Sequence, residues 1–240
     1  MRRLVVAAGI LTTGTMRLEG ADAHYAKDVL RLKVGAEVWL YDGAGLRALA
    51  QVQAVGRHHV ELQIAELQGL PPPTPPAITL LQALGKGEKM DSVVRQATEL
   101  GVARIVPVHT ERSVPRGEGR VERWRTIADD AVRVSGRGHR PLIDEVRPLT
   151  EVLASPRAER ALVLALEQGE DLAVALGAAE PVPQSIEVLI GPEGGLEPDE
   201  VDAAAGAGFV RAHVGPYTLR TETAGPALLA MIRFWARSYG

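Results

Sequence analysis

Two short loops gather the residues best suited to chemistry. Residues 190–200 read IGPEGGLEPDE and residues 214–225 read VGPYTLRTETAG, each an apolar run broken by Gly-Pro and followed by charge. In the first, Pro192 fixes one torsion, while Gly194 and Gly195 admit positive φ and leave room for a flat group against the main chain. A single carboxylate, Glu193, stands among them. In the second, Thr221 and Thr223 are placed to cap a helix, Pro226 suits its first turn, and Glu222 lies near the positive end of its dipole. A tight strand-to-helix turn explains the first loop alone about as well as a ligand site does. Two such loops together favour a pocket that grips a flat ligand. The phosphate-binding patterns G-x-G-x-x-G and G-x-x-x-x-G-K-[ST] are missing, which argues against a dinucleotide fold or a P-loop.

Such loops need strands to present them. From residue 77 onward the apolar runs AITLLQAL, ARIVPVHT, RALVLALE, SIEVLIGP and FVRAHVGP alternate with the helix-like segments KMDSVVRQATELG, RVERWRTIADDAVRVSG, EPDEVDAAAGAG and TETAGPALLAMIRFWARSYG. This rhythm predicts an α/β domain on a mostly parallel sheet covered on both faces, with ligands beyond the carboxyl ends of its strands. Three strand ends then form one candidate site: Leu166-Glu167-Gln168-Gly169, the GPEGG loop and the TLRTETA loop. Before residue 71 the segments RLVVAAG, EVWLYDG, LRALAQVQAVG and HVELQIAEL alternate apolar and polar residues between glycine turns. They predict the short antiparallel strands of a small β-barrel, with one helical patch, DAHYAKDVLRL. The run PPPTPP is a semi-rigid spacer. The expected organisation is a barrel over residues 1–70, a linker over 71–76 and an α/β domain over 77–240.

Composition narrows the classes. With 240 residues, 46% hydrophobic and 24% charged, the chain can bury one large core or two modest ones. It has no cysteine, hence no disulfide, thiolate metal site or cysteine nucleophile, and a cytoplasmic location is expected. The opening MRRLVVAAGIL lacks the small-residue cleavage pattern of a secretory signal and reads as a first strand. No apolar stretch is long enough for a bilayer, and the six histidines are scattered without ligand spacing, so neither a membrane nor a metal is expected. Net charge is −3, yet residues 86–140 hold 12 basic and 8 acidic groups against 7 and 15 in residues 141–240. The arginines between Arg112 and Arg140 form either a solvated helix face or a phosphate-contacting surface.

Taken together, KGEKMDSVVRQATELGV (86–102), RIVPVHTERSV (104–114), IGPEGGLEPDE and LRTETA resemble the ribosomal RNA small subunit methyltransferase E family of the SPOUT, or trefoil-knot, superfamily. HYAKDVLRLKVGAEVWLYDG (24–43) is similar to that family's PUA-like RNA-binding domain, so the likeness covers nearly the whole chain. The resemblance implies a deep trefoil knot in the C-terminal part of the α/β domain, against the general rule that chains are unknotted. It further implies a homodimer, S-adenosylmethionine held by the knot loops, and methyl transfer to N3 of a uridine in the 16S rRNA of the small ribosomal subunit. Carried over position by position, the cofactor meets Gly191, Pro192, Glu193, Gly194 and Gly195, then Leu219, Arg220, Thr221, Glu222, Thr223 and Ala224, with Leu166 and Glu167 from the preceding strand end. Arg31, Lys86, Lys89, Arg112 and Arg137 match the RNA-facing basic residues. One departure is visible: Arg133-Val134 stands where the family usually has an acidic residue and Gln.

The implied target sets a chemical requirement. N3 of uridine carries a proton and attacks poorly until it leaves, so the base must be exposed, deprotonated and held in line with the methyl donor. Arg220, or the partner subunit's Arg137, suits stabilisation of the uracil oxygens, and Glu222 or Glu193 suits acceptance of the proton. Glu222 is equally explained as a helix-terminus charge, and Glu193 as an acceptor that shapes its loop. Tyr217 either stacks on a base or covers the pocket, while Trp124 and Trp235 fall on helices as packing residues. The rival functions are a non-enzymatic RNA-binding protein, which has no need of paired glycine loops, a methyltransferase of the same superfamily acting on another rRNA or tRNA nucleotide, and a nucleotide-dependent enzyme, which the missing fingerprints disfavour.

Overall fold

A computed structural model describes residues 2–114, 119–165, 169–177 and 181–239. The chain divides into two compact units, Met1–Pro73 with Asp129–Arg140, and Thr74–Ala128 with Pro141–Gly240.

The first unit carries β1 (Arg3–Val5), β2 (Gly14–Glu19), α1 (Gly20–His24) running into a π-helical turn at Tyr25–Val29, β3 (Glu37–Tyr41), β4 (Leu46–Val55), β5 (His59–Ile64) and β6 (Gln68–Gly69). The strands pair in the order β1-β3-β4-β5-β2, with β6 on β4. Alternation sets the faces: β4 buries Ala48, Ala50 and Val52 and turns Gln51 and Gln53 to solvent. The pairing of β1 with β3 is parallel, a departure from the all-antiparallel sheet that the alternation predicts. Parallel neighbours need a long crossover, supplied here by β2 and the helical patch between them. Residues 129–140 cluster with this unit, although they follow the proline run by many residues. Arg140 donates to the carbonyls of Asp42 (2.8 Å) and Val6 (3.0 Å), and Arg133 stacks over Tyr25 at 3.9 Å from the ring centre while pairing with Asp130. Arg133, the departure from the family pattern, thus has a packing role inside this unit.

The second unit contains β7 (Ala77–Ala83), α2 (Lys89–Glu99), β8 (Arg104–His109), α3 (Val121–Ser135, as far as Ala128), β9 (Leu142–Ile143), β10 (Arg147–Pro148), α4 (Leu149–Leu153), β11 (Arg160–Leu164), β12 (Glu170–Asp171), α5 (Leu172–Leu176), β13 (Ser185–Ile190), α6 (Pro198–Gly206), β14 (Val210–His213) and α7 (Thr221–Tyr239). Every strand pair is parallel, in the order β10-β8-β7-β13-β11-β14-β12 with β9 on β8. The five apolar runs read from the sequence are its five central strands. They are apolar on both faces because both are covered: Ile78, Leu80 and Val188 pack into one core with α7, while Leu81, Val163 and Leu189 pack into another with Phe209. Trp124 and Trp235 are core residues whose indole N–H groups donate to Asp91 (3.1 Å) and to the Gly177 carbonyl (3.0 Å). Because β13, β11 and β14 are parallel neighbours, the loops after β13 and β14 emerge on the same edge of the sheet.

Candidate functional site

On that edge lies a cavity of about 450 Å³, within the range of small-molecule sites. Leu164, Ile190, Leu196, Val214, Leu219 and Ala224 give it an apolar wall, and Lys89, Glu193, His213, Tyr217, Thr218, Arg220 and Thr221 bring polar groups to it. Gly191 permits the close turn: a Cβ there would sit 3.0 Å from the Leu196 nitrogen and 3.2 Å from the Gly195 carbonyl carbon. The sequence suggested positive φ at both Gly194 and Gly195, but only Gly195 has it (73°). Gly194 is small for a different reason, since its Cβ would press within 3.1 Å of Arg112 Cδ.

Several side chains fasten the 191–195 loop. The Thr221 hydroxyl donates to the Gly191 carbonyl (2.7 Å) and accepts from the buried Gln82 amide (3.0 Å). Thr221 is thus a tie between β7, this loop and α7, whereas the sequence suggested a helix cap; Pro226, expected in the first turn of α7, lies inside the helix. Arg112 makes a two-pronged bond to Glu197 (2.6 and 2.8 Å) and donates to the Gly194 carbonyl (2.6 Å). Glu197 and Glu200 form a capping box that starts α6 directly behind the loop.

Glu193 accepts from the Lys86 backbone N–H at 2.8 Å and from Lys89 Nζ at 2.9 Å, both through Oε1. Lys89 Nζ also stands 3.4 Å from Glu222 Oε2, close enough for an ion pair, although that oxygen has no hydrogen bond among the described residues. Burial is the largest single influence on Glu193 and pushes its carboxyl up; the hydrogen bonds from Lys89, its own backbone and Lys86 together outweigh it and hold the group below the ordinary carboxylate value. The hydrogen bond to Glu193, reinforced by the charges of both glutamates, raises the Lys89 ammonium against the opposing cost of desolvation.

Of the residues singled out from the sequence, Gly191, Pro192, Glu193, Gly195, Leu219, Arg220, Thr221 and Ala224 line the cavity, as does Lys89, which the resemblance set on the RNA side. Gly194, Glu222 and Thr223 do not, and Leu166 and Glu167 lie outside the described residues. Arg220 is exposed at the cavity and its side chain pairs with no described residue, whereas Glu222 sits behind Lys89. Arg31 (φ 50°) and Arg137 belong to the first unit, the former exposed and the latter half-buried and engaged; Lys86, Lys89 and Arg112 belong to the second. Tyr217 lines the cavity with 79% of its surface exposed. Sequence reasoning missed His213, whose Nδ1 is buried at the wall with no partner among the described residues; its place at the end of a strand run, one residue before Gly-Pro, was the available signal. Among the described residues no group of three or more His, Asp or Glu is placed to hold a metal, and no helix is long and apolar enough to cross a membrane.

A parallel α/β sheet with a glycine-walled cavity at its strand ends, in one chain with a mixed-sheet unit, is an architecture that comparison with known proteins places in a class. Residues 72–233 match the RNA methyltransferase domain family, and residues 18–65 match the RNA methyltransferase PUA domain. Ribosomal RNA small subunit methyltransferase E of Mycobacterium tuberculosis is 33% identical over 224 residues, covering 90% of this chain and 84% of the relative. The Bacillus subtilis protein of the same name is 28% identical over 230 residues, covering 92% and 90%. Among solved structures, a ribosomal RNA small subunit methyltransferase E from Neisseria gonorrhoeae bound to S-adenosyl methionine superposes with a TM-score of 0.89 at 30% identity, covering 98% of each chain. A methyltransferase structure from Legionella pneumophila with bound SAM also gives 0.89, at 27% identity and 97% coverage of each chain. The chain belongs to the ribosomal RNA small subunit methyltransferase E family.

Proposed function

We propose that the chain transfers a methyl group from S-adenosylmethionine to N3 of a uridine in 16S rRNA of the small ribosomal subunit. The observation that carries this reading is the cavity at the ends of β11, β13 and β14, with an apolar slot, a glycine wall and, at its edge, an arginine that no described residue pairs. The residues fit the cofactor: the slot between Leu196, Leu219 and Ala224 suits a flat adenine, main-chain groups of the two loops suit its polar edge, and the His213 Nδ1, unpartnered among the described residues, offers one more polar contact. When bound, S-adenosylmethionine supplies an electrophilic methyl group.

The chain's own residues would prepare the base. Arg220, which has no side-chain partner among the described residues, is placed to stabilise charge developing on the uracil oxygens. Of the two candidate proton acceptors, Glu193 lines the cavity and Glu222 does not. Glu193 uses Oε1 for Lys86 and Lys89, and we assign Oε2 the N3 proton. RNA would be held by the first unit, read as a PUA-like barrel over residues 1–70 joined by a 71–76 linker to the 77–240 catalytic domain, with Arg31, Arg137 and Lys86 on phosphates. The family likeness also supports a trefoil knot around the cofactor loops, a homodimer and work in the cytoplasm. Met231 and Phe234, exposed on α7, suit a subunit contact. Incubating the protein with labelled cofactor and unmodified small subunits, then mapping the product, tests the reading: label at N3 of a single 16S uridine is expected, and label on another base, on tRNA or nowhere rejects it.

A further inference from the structure

We propose that Lys89 is a positioning residue for methyl transfer, holding Glu193 at the cavity wall while Glu222 anchors the lysine from behind. The inference rests on Glu193 being the proton acceptor. It replaces the phosphate-contacting role that the family likeness implies for Lys89.

The geometry runs in one line. Lys89 is the first residue of α2, and its ammonium lies between Glu193 Oε1 at 2.9 Å and Glu222 Oε2 at 3.4 Å. Lys89, Glu193 and Glu222 are each no more than a third exposed. An ammonium has three donors, and here its surroundings direct it inward to two carboxylates rather than outward to a polyanion. Glu222 stands in the first turn of α7, next to Thr221, whose hydroxyl ties α7 to Gly191; the same helix start thus fixes the glycine loop and the lysine. Two nearby cations are engaged elsewhere: Arg123 is held by Asp91 and Glu88, and Arg112 by Glu197. Among the described residues, the charged and titratable groups around Glu193 are Lys89 from α2, Glu222 beyond it from α7, and Arg220, His213 and Tyr217, which line the same cavity, with the Lys86 N–H on the same oxygen as Lys89. Removing Lys89 would leave a partly buried carboxylate beside a second one, and both effects favour its protonated form.

Single-turnover rates of the full-length protein with saturating small subunits, measured across pH, test the proposal alongside RNA affinity across salt. Lys89→Met should move the acid limb of the rate profile up by about one pH unit, lower the rate at neutral pH several-fold, and leave the salt slope of RNA binding unchanged. Lys89→Arg, which keeps the charge, should return the acid limb most of the way, and Glu222→Gln, which removes a like charge near Glu193, should not move it up and should lower the rate at neutral pH by less than Lys89→Met. An unmoved acid limb in Lys89→Met, with weaker RNA binding and a salt slope reduced by about one, would overturn the inference and make Lys89 a phosphate contact. Should Lys89→Met not fold, Lys89→Gln takes its place with the same two outcomes. Failure of the underlying assignment looks different: Glu193→Gln would then keep both the wild-type rate and the wild-type acid limb.

Discussion

The two loops that wall the cavity are held in different ways. The 191–195 loop is fastened by the Thr221 hydroxyl, by Arg112, and by Lys86 and Lys89 through Glu193, with the capped α6 starting just beyond it. Among the described residues, the loop from Gly215 to Arg220 is secured where it enters α7, through N–H bonds from Thr223 and Ala224 to the Arg220 carbonyl, and its polar side chains at Tyr217, Thr218 and Arg220 pair with no described residue. A fastened wall is pre-organised and loses little freedom when a ligand arrives, so it favours affinity. A cation that no described residue pairs, on the second loop, keeps its donors for charge that appears only during reaction, so it favours rate. The same cavity thus separates binding from chemistry by loop.

Breaking the fastened loop at its tightest point should have the largest effect. Gly191→Val places side-chain carbon against the Leu196 and Gly195 backbone, which cannot yield as a flexible side chain would. Calorimetric affinity for S-adenosylmethionine should fall by about 100-fold or more, equivalent to ~3 kcal/mol. Loosening the loop from outside should cost less: Arg112→Ala strips Glu197 and the Gly194 carbonyl of their partner, and about a tenfold loss of cofactor affinity is expected. Arg112→Lys should recover little of it, because a lysine cannot reproduce the two-pronged bond. If Arg112→Ala instead weakened RNA binding and left cofactor affinity alone, its place in this wall would be wrong.

Thr221→Val is a finer cut. It removes the acceptor for the buried Gln82 amide and the donor for the Gly191 carbonyl, and a loss of ~1–3 kcal/mol in stability is expected, seen as a lower midpoint in denaturant. Thr221→Ser should keep most of it. The smallest effect concerns acid. Because the Glu193 carboxyl is depressed in the fold, the folded chain binds fewer protons there than the unfolded chain; that stabilisation is present above the ordinary value of 4.5 and lost as pH falls through the folded value. The stability gap between the wild type and Glu193→Gln should therefore narrow below pH 4.5, and a gap that is constant with pH would show that Glu193 is not held as described.

The sequence was informative where the signal is local. Central strands declare themselves by continuous apolar runs, and the glycine loops by their position after them. The strands β9, β10 and β12 are two residues long, too short for any period to register. The parallel start of the first sheet escaped notice because alternation reports which face is buried and not which neighbour is paired. Lys89 and Arg112 show the same limit in the site: composition displays a positive charge, but the carboxylates that claim it come from other loops, brought near by the order of the strands. Gly194 and Gly195 look alike in sequence, and only the backbone distinguishes the one that needs positive φ from the one that makes room for an arginine. Whether Glu222 or Glu193 faces the cavity depended on the direction of one helix turn, which spacing alone does not fix.

The division between the two loops is tested most directly by measuring S-adenosylmethionine affinity and single-turnover rate side by side in Gly191→Val and Arg220→Ala. Gly191→Val should lose affinity. Arg220→Ala should bind the cofactor within a few-fold of wild type while its rate falls by about 10²-fold or more, as for an interaction made mainly in the transition state. An Arg220→Ala protein that lost cofactor affinity as severely as Gly191→Val, or that kept the wild-type rate, would contradict it.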